Sequence, residues 1–286
     1  MAYAKYFLTE NKPQINQKDL LALIKHALAE DIGRGDITTR LTIPQHKKIK
    51  VKIIAKENFL LCGISVAEKV FRSVDPGISF KKMAKEGKSV KNGQTIAIIS
   101  GRARSILKAE RVALNLLSLM SAIATKTRKF VERIEPFKTK ITDTRKTFPG
   151  LRALQKYAVR IGGGYNHRIR LDEMLLIKDN HLKILGGYFS LPPVPKGYKT
   201  EIETQSLDEF KHALRFNPDV VMLDNMKIAD IKTAIKIRAS RKVKLEASGG
   251  INLSNIKKYA ATGVDIISAG QLTDSVESVD ISLEVV

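Results

Sequence analysis

The sequence predicts an α/β protein, with a (β/α) barrel in its C-terminal half and a small α+β domain ahead of it. Three observations carry that reading. Beyond residue 139, short apolar runs recur at 140–143, 174–177, 201–203, 220–223, 244–247 and 265–268. From Glu203 onward their ends fall 20–25 residues apart, with helical stretches at 207–216, 228–237 and 253–261 between them. Such alternation indicates parallel strands joined by helical crossovers. Finally, each run ends in a polar or glycine residue: Arg145-Lys146, Lys178, Glu203, Asp224, Ser248-Gly249-Gly250 and Ser268-Ala269-Gly270. Barrels carry their chemistry on that one face, so the constant phase favours a barrel over a doubly wound sheet.

The earlier elements follow in order. Residues 17–30 place Leu20, Leu21, Ile24, Ala27 and Leu28 on one helical face. The stretch 31–39, Asp-Ile-Gly-Arg-Gly-Asp-Ile-Thr-Thr, reads as a glycine-rich link. Residues 49–55 alternate apolar and basic side chains, as a half-buried strand does. Lys91-Asn92-Gly93-Gln94 is a turn signal before a strand at 95–99. A long helix is expected over 103–134, broken or bent at its small residues 121–125. Arg111, early in that helix, reads as solvent-exposed by default.

Composition narrows the class. A chain of 286 residues with 43% hydrophobic content is globular rather than disordered. The single cysteine, Cys62, excludes an internal disulfide and suits a reducing compartment. Residues 1–14 lack the apolar core of a secretory signal. The stretch 112–124 is interrupted by Asn115, Ser118 and Ser121 and is too short and polar to span a bilayer. A soluble, cytoplasmic protein is expected. The net charge of +21 attracts anions of every kind. Part of it is local, since 126–170 holds 13 Lys or Arg against 3 acids. There is no block of five or six adjacent basic residues, and aromatics are only 6%, so neither a basic tail nor a stacking platform for nucleic acid is visible.

Chemistry concentrates in 142–181, where Arg145, Lys146, His167, Arg168 and Lys178 lie beside turn signals or at the ends of apolar runs. Arginine offers a bidentate fork and lysine a point charge for carboxylate or phosphate. Pro149-Gly150 and Gly162-Gly163-Gly164 constrain the loops around them. His167 and His181 either donate protons or serve structure. Ser248-Gly249-Gly250, before a helix expected near Asn252, and Ser268-Ala269-Gly270 one strand later read as a phosphate-binding pair of turns. Glu203 and Asp224 either hold Mg²⁺ through water or grip sugar hydroxyls, or else act as helix N-caps.

Eight strings in order connect these features: Glu-Asp-Ile-Gly-Arg-Gly-Asp-Ile-Thr-Thr (30–39), Glu-Arg-Val-Ala-Leu-Asn (110–115), Asp-Thr-Arg-Lys-Thr-x-Pro-Gly (143–150), Gly-Gly-Gly-x-Asn-His-Arg (162–168), Ile-Lys-Asp-Asn-His (177–181), Glu-Ile-Glu (201–203), Leu-Asp-Asn (223–225) and Glu-Ala-Ser-Gly-Gly-Ile (246–251). Together they resemble the quinolinate phosphoribosyltransferase family, the carboxylating nicotinate-nucleotide pyrophosphorylases. The resemblance implies an incomplete seven-stranded (β/α) barrel over 115–275. It implies a smaller N-terminal α/β sandwich domain over 1–114, joined by the tail 276–286. It also implies a homodimer, or a hexamer built on it, in which Arg111 reaches the partner subunit's site. Lys146 and Lys178 would contact substrate and pyrophosphate. Thr144, Arg145, His167 and Arg168 would bind substrate, the last three holding the quinolinate carboxylates. Glu203 and Asp224 would take the ribose and Mg²⁺ side. Ser248, Gly249, Gly250, Ser268, Ala269 and Gly270 would take the 5′-phosphate. Two positions depart from the family pattern: Arg170 and Ala122 stand where glycine is usual.

The implied reaction joins phosphoribosyl pyrophosphate to a pyridine-2,3-dicarboxylate with loss of CO₂. Two polyanions share one cleft only if cations offset their repulsion. The nearest alternative, a nicotinate phosphoribosyltransferase, needs fewer cations than this loop supplies. A molybdate-transport-associated homologue is opposed by the intact Ile-Lys-Asp-Asn-His and Asn-His-Arg strings. A basic nucleic-acid-binding protein is the remote alternative.

Overall fold

The computed structural model describes residues 14–191 and 197–286, so the reading of residues 1–14 falls almost wholly outside them. The chain forms two compact units, one holding 14–128, 148–162 and 276–286, the other 129–147 and 163–275.

The first unit opens with α1 (Gln17–Ile32), whose first turn is capped by the Asn16 side chain accepting the Lys18 and Asp19 N–H groups. Leu20, Ile24 and Leu28 are its buried stripe, while Leu21 stays exposed. The stretch 31–39 is less of a loop than its glycines suggest. α1 runs through Ile32, and α2 (Ile37–Thr42) starts where the Asp36 carboxylate accepts the Thr39 N–H at 2.9 Å. An N-cap Asp that accepts the N–H of the third helical residue overrides the loop reading. β1 (Lys48–Ala55), β2 (Phe59–Leu60), α3 (Ile64–Val74), β3 (Ser79–Lys82), β4 (Ser89–Val90) and β5 (Thr95–Arg102) follow. β1 buries Val51, Ile53 and Ala55 and turns the residues between them outward, as its alternation predicts. The turn before β5 closes through the Gln94 N–H on the Lys91 carbonyl. β12 (Ile281–Val285) pairs antiparallel with β1, giving a four-stranded sheet in the order β12-β1-β5-β3.

The helix α4 (Ala103–Arg133) runs 31 residues without interruption, so there is no break at 121–125. Its small residues serve contact instead. The Ser121 hydroxyl accepts the Cys62 N–H at 3.0 Å, and the Thr125 hydroxyl accepts the Leu60 N–H at 2.8 Å. Short side chains let a neighbouring backbone approach the helix closely, and no break in the i→i−4 ladder is needed for that.

In the second unit the strands are β6 (Lys140–Thr142), β7 (Leu175–Ile177), β8 (Thr200–Thr204), β9 (Val220–Asp224), β10 (Lys244–Ser248) and β11 (Ile266–Ser268). α5 (Arg152–Ile161) follows β6 in sequence but belongs to the first unit. α6 (Asp179–Leu185), α7 (Leu207–Ala213), α8 (Ile228–Arg238) and α9 (Ile256–Ala260) follow the later strands. All six strands are parallel, in the order β6-β11-β10-β9-β8-β7. Because β11 pairs with β6, the last strand returns to the first, as a barrel requires and a doubly wound sheet does not. Tyr165 takes the place of the remaining strand with a single parallel bridge to Thr142. Among the described residues no ladder links Tyr165 to β7, so the barrel is incomplete. Its strands are buried on both faces, which explains apolar runs such as Val220–Leu223 without alternation. The helix after β10 begins at Ile256 rather than near Asn252.

Candidate active site

The C-terminal strand ends of the second unit surround a cavity of about 690 Å³. The predicted Thr144, Arg145, Lys146, His167, Arg168 and Lys178 all line it. So do Glu203 and Asp224, Ser248-Gly249-Gly250 and Ser268-Ala269-Gly270. Arg111 lies exposed on α4 in the other unit and does not line it. His181 does not either, because its Nδ1 accepts the Lys178 N–H at 3.0 Å at the start of α6. A second cavity, about 540 Å³, opens at the opposite strand ends beside Lys199, Asp219, Arg241 and Lys244. Barrel chemistry belongs to the first face.

Asp143, fully buried, organises the cation loop. Its Oδ1 accepts the His167 N–H at 2.9 Å and its Oδ2 accepts the Asn166 amide at 2.6 Å. This holds Asn166-His167-Arg168 against the end of β6. Arg168 is buried and donates from Nη1 to the Met174 carbonyl at 3.1 Å. Burial first, then the nearby positive charge of Arg145, pull its pKa below the usual guanidinium value. The Nε atoms of Arg145 and Arg168 are buried with no hydrogen-bond partner in the protein. Buried donors without acceptors are rare, and two on neighbouring guanidinium groups suit an anionic ligand. Arg170 stays outside, exposed and paired with Asp172 at 3.3 Å, so its departure from the family pattern leaves Arg168 in place. Ala122 is buried within α4.

The two acids occupy adjacent strand ends. Glu203 is bound by Lys178 Nζ at 2.5 Å, and Asp224 accepts the Asn225 amide at 2.8 Å. Neither caps a helix: Ser206 caps α7, and Lys227 stands at the N-cap of α8. At the first glycine turn Gly249 has φ +92°, and a Cβ there would lie 2.2 Å from Asn225 Oδ1. Only glycine fits. Residues 252–255 form a turn in which the Asn252 side chain accepts the Ser254 and Asn255 N–H groups. The anion-binding case at this turn therefore rests on its bare backbone, without a helix N-terminus directly behind it.

Two further acids of the site lay in the quoted strings unassigned. Glu201 and Glu246 are fully buried beneath His167, whose Nε2 is 3.0 Å from Glu201 Oε2 and 3.7 Å from Glu246 Oε1. Period two could have found them, since Glu201 shares a strand face with Glu203, and Glu246 with Ser248. The Arg168 N–H donates to His167 Nδ1 at 2.9 Å, which leaves the ring proton on Nε2, facing the acids. Donor atoms of the three residues lie within 4.8 Å of one another. With Nε2 protonated, they form a pair of acids against an imidazole rather than a set of metal ligands. Burial, then the charge of Glu201, push the Glu246 carboxyl up to about 8. His167, Ser268 and Lys178 act in the opposite sense and are outweighed.

Fold and cavity together define an α/β-barrel enzyme built to handle polyanions. The family descriptions of the quinolinate phosphoribosyl transferase N-terminal and C-terminal domains match residues 36–121 and 123–284. The chain belongs to the quinolinate phosphoribosyl transferase family. It is 42% identical over 278 residues to a probable nicotinate-nucleotide pyrophosphorylase (carboxylating) of Methanocaldococcus jannaschii, covering 93% of this chain and 97% of that one. It is 39% identical over 266 residues to a protein of the same description from Synechocystis, covering 91% and 90%. The solved nicotinate-nucleotide pyrophosphorylase of Francisella tularensis superposes with TM-score 0.89 at 39% identity, covering 97% of this chain and 100% of that one. The likeness to human nicotinic acid phosphoribosyltransferase, TM-score 0.59 at 13% identity, covers 93% of this chain and 74% of that one and is one of fold alone.

Proposed function

We propose that the protein transfers the phosphoribosyl group of phosphoribosyl pyrophosphate to quinolinate and releases CO₂, pyrophosphate and nicotinate mononucleotide. The observation that carries this reading is the pair of unpartnered buried Nε donors on Arg145 and Arg168 beside Lys146 in one cavity. That is more positive charge than a monocarboxylate needs, and it suits a dicarboxylate beside a pyrophosphate. Arg145 and Arg168 hold the ring carboxylates, with His167 fixing Arg168 from below. Apolar Leu176 and Met222 also line the cavity and suit the flat ring. The Gly249-Gly250 and Gly270 turns take the 5′-phosphate.

Glu203 and Asp224 face the ribose, where positive charge develops at C1′ as pyrophosphate departs. Because Lys178 already occupies Glu203, the two carboxylates suit a hydrated Mg²⁺, which offsets the charge of the leaving pyrophosphate. The ring nitrogen, once bonded to C1′, is quaternary and stabilises the electron pair left at C2 when its carboxylate departs. The protein's part is positioning and fixed charge.

The test is incubation with quinolinate, phosphoribosyl pyrophosphate and Mg²⁺, with product mass and CO₂ both measured. One CO₂ per nucleotide is expected, and nicotinate serving equally well would refute the assignment.

Assembly as a homodimer with a shared site is part of the proposal, with a hexamer as its extension. It is supported by Arg111, which is exposed on α4 and absent from the cavity of its own chain. Arg111→Ala mixed with an inactive cavity variant is expected to regain activity through hybrid dimers, and no regain would count against sharing. A functional division at 114/115 is part of the proposal, the two family matches parting a few residues later at 121–123, and the tail 276–286 joins the first part through the pairing of β12 with β1. A cytoplasmic location, without nucleic-acid or membrane partners, completes the reading and rests on the single cysteine.

A further inference from the structure

We propose that Glu246 is the acid that protonates C2 of the pyridine ring after its carboxylate has left. This rests on the decarboxylating reading above. Glu246 lies on β10, one inward-facing step below Ser248, and lines the floor of the cavity. Its side chain is fully buried, and neither oxygen has a hydrogen-bond partner of good geometry in the protein. A buried acid without a well-formed hydrogen bond, in a ligand cavity, is completed by the ligand.

The neighbours of Glu246 can be named from every side. Glu201 faces it from β8, His167 from the loop after Tyr165, Lys178 from the end of β7 and the Ser268 hydroxyl from β11. Its register partners Met222 on β9 and Ile266 on β11 are apolar. Burial and the Glu201 charge keep its proton in place until the pH reaches about 8. That state is also what the ligand demands, because two ionised carboxylates on the floor would repel an incoming dicarboxylate. Of the other candidate donors, the Lys178 ammonium is committed to Glu203, and His167 Nε2 lies 3.0 Å from Glu201.

The step balances. The bond from C2 to its carboxylate breaks, CO₂ leaves, and the electron pair stays on C2 beside the quaternary nitrogen. The O–H bond of Glu246 then breaks as its proton bonds to C2. The resulting carboxylate regains a proton from water as product departs.

Glu246→Gln keeps the shape and removes the acid. In single turnovers at pH 7, pyrophosphate release is expected to stay within about threefold of the parent. Formation of nicotinate mononucleotide is expected to slow about a hundredfold, with a nucleotide retaining both carboxylates detected by mass, because the unprotonated carbanion recaptures CO₂ before it escapes. In the parent, product formation should fall as pH rises through about 8, because the acid form is lost. The variant should lack that limb. Unchanged product formation, or a parallel fall of pyrophosphate and product, would overturn the proposal. Should the variant not fold, the parent's own pH profile decides, and a flat profile across pH 7–9 refutes it. A parent that makes no nucleotide from quinolinate refutes the functional reading itself, a result distinct from any shown by the variant.

Discussion

Replacing Lys146 with alanine is expected to cut kcat/KM about a thousandfold, about 4 kcal/mol of transition-state stabilisation, with little change in melting temperature. The two halves of that expectation have separate physical origins. The Lys146 side chain is exposed at the cavity, and its backbone is held without it. Its N–H donates to the Thr144 hydroxyl at 3.0 Å, and its carbonyl accepts the Thr273 hydroxyl at 2.7 Å. Truncating an exposed side chain whose backbone is fixed costs little stability. The charge lost is one of the few that faces a departing pyrophosphate, and fixed cations act most strongly on charge that develops in the transition state. Steady-state kinetics and a thermal melt on one preparation check both parts. Near-normal turnover would remove Lys146 from the site.

Gly249→Ala is expected to destabilise the protein by about 3 kcal/mol and to abolish binding of phosphorylated substrate. The added Cβ would meet Asn225 Oδ1 at 2.2 Å, its Cγ at 2.5 Å and its backbone N at 2.8 Å. The side-chain clash can be relieved by rotation, but the backbone contact cannot. The Asn225 N–H donates to the Ser248 carbonyl at 2.9 Å, which ties the end of β9 to the end of β10. Gly250→Ala is the control. Gly250 also has positive φ, +58°, but no atom lies within 4 Å of its would-be Cβ, so only about 1 kcal/mol is expected. Denaturant unfolding of the two variants side by side measures the difference. Equal losses would mean that the Asn225 contact does not constrain the turn.

Much of the site was legible because barrel strands expose only their ends. Lys178, Glu203, Asp224 and Ser248 each close an apolar run, and a strand buried on both faces leaves its terminal residue as the first one free to meet a ligand. Glu201 and Glu246 escaped notice because they sit inside runs that read as core, where a carboxylate is costly unless neighbours hold it. Only folding brings His167, some thirty-four residues before Glu201, against both.

The misread elements share one cause. The small residues 121–125 suggested a break, the glycines of 31–39 a loop and Gly249-Gly250 a helix start near Asn252. Each is a local signal with two outcomes, and the choice lies with a partner distant in sequence or with a single capping side chain. For Ser121 the partner is Cys62; for Thr39 the cap is Asp36.

By itself the sequence determined the strand positions, the face that carries the chemistry and the excess of cations there, because burial period and charge are local properties of a chain. The tertiary structure alone decided that β11 returns to β6, that two buried acids lie beneath His167, and that Arg145 and Arg168 keep donors without acceptors. Those are matters of distance between residues far apart in the chain, and distance is set by packing.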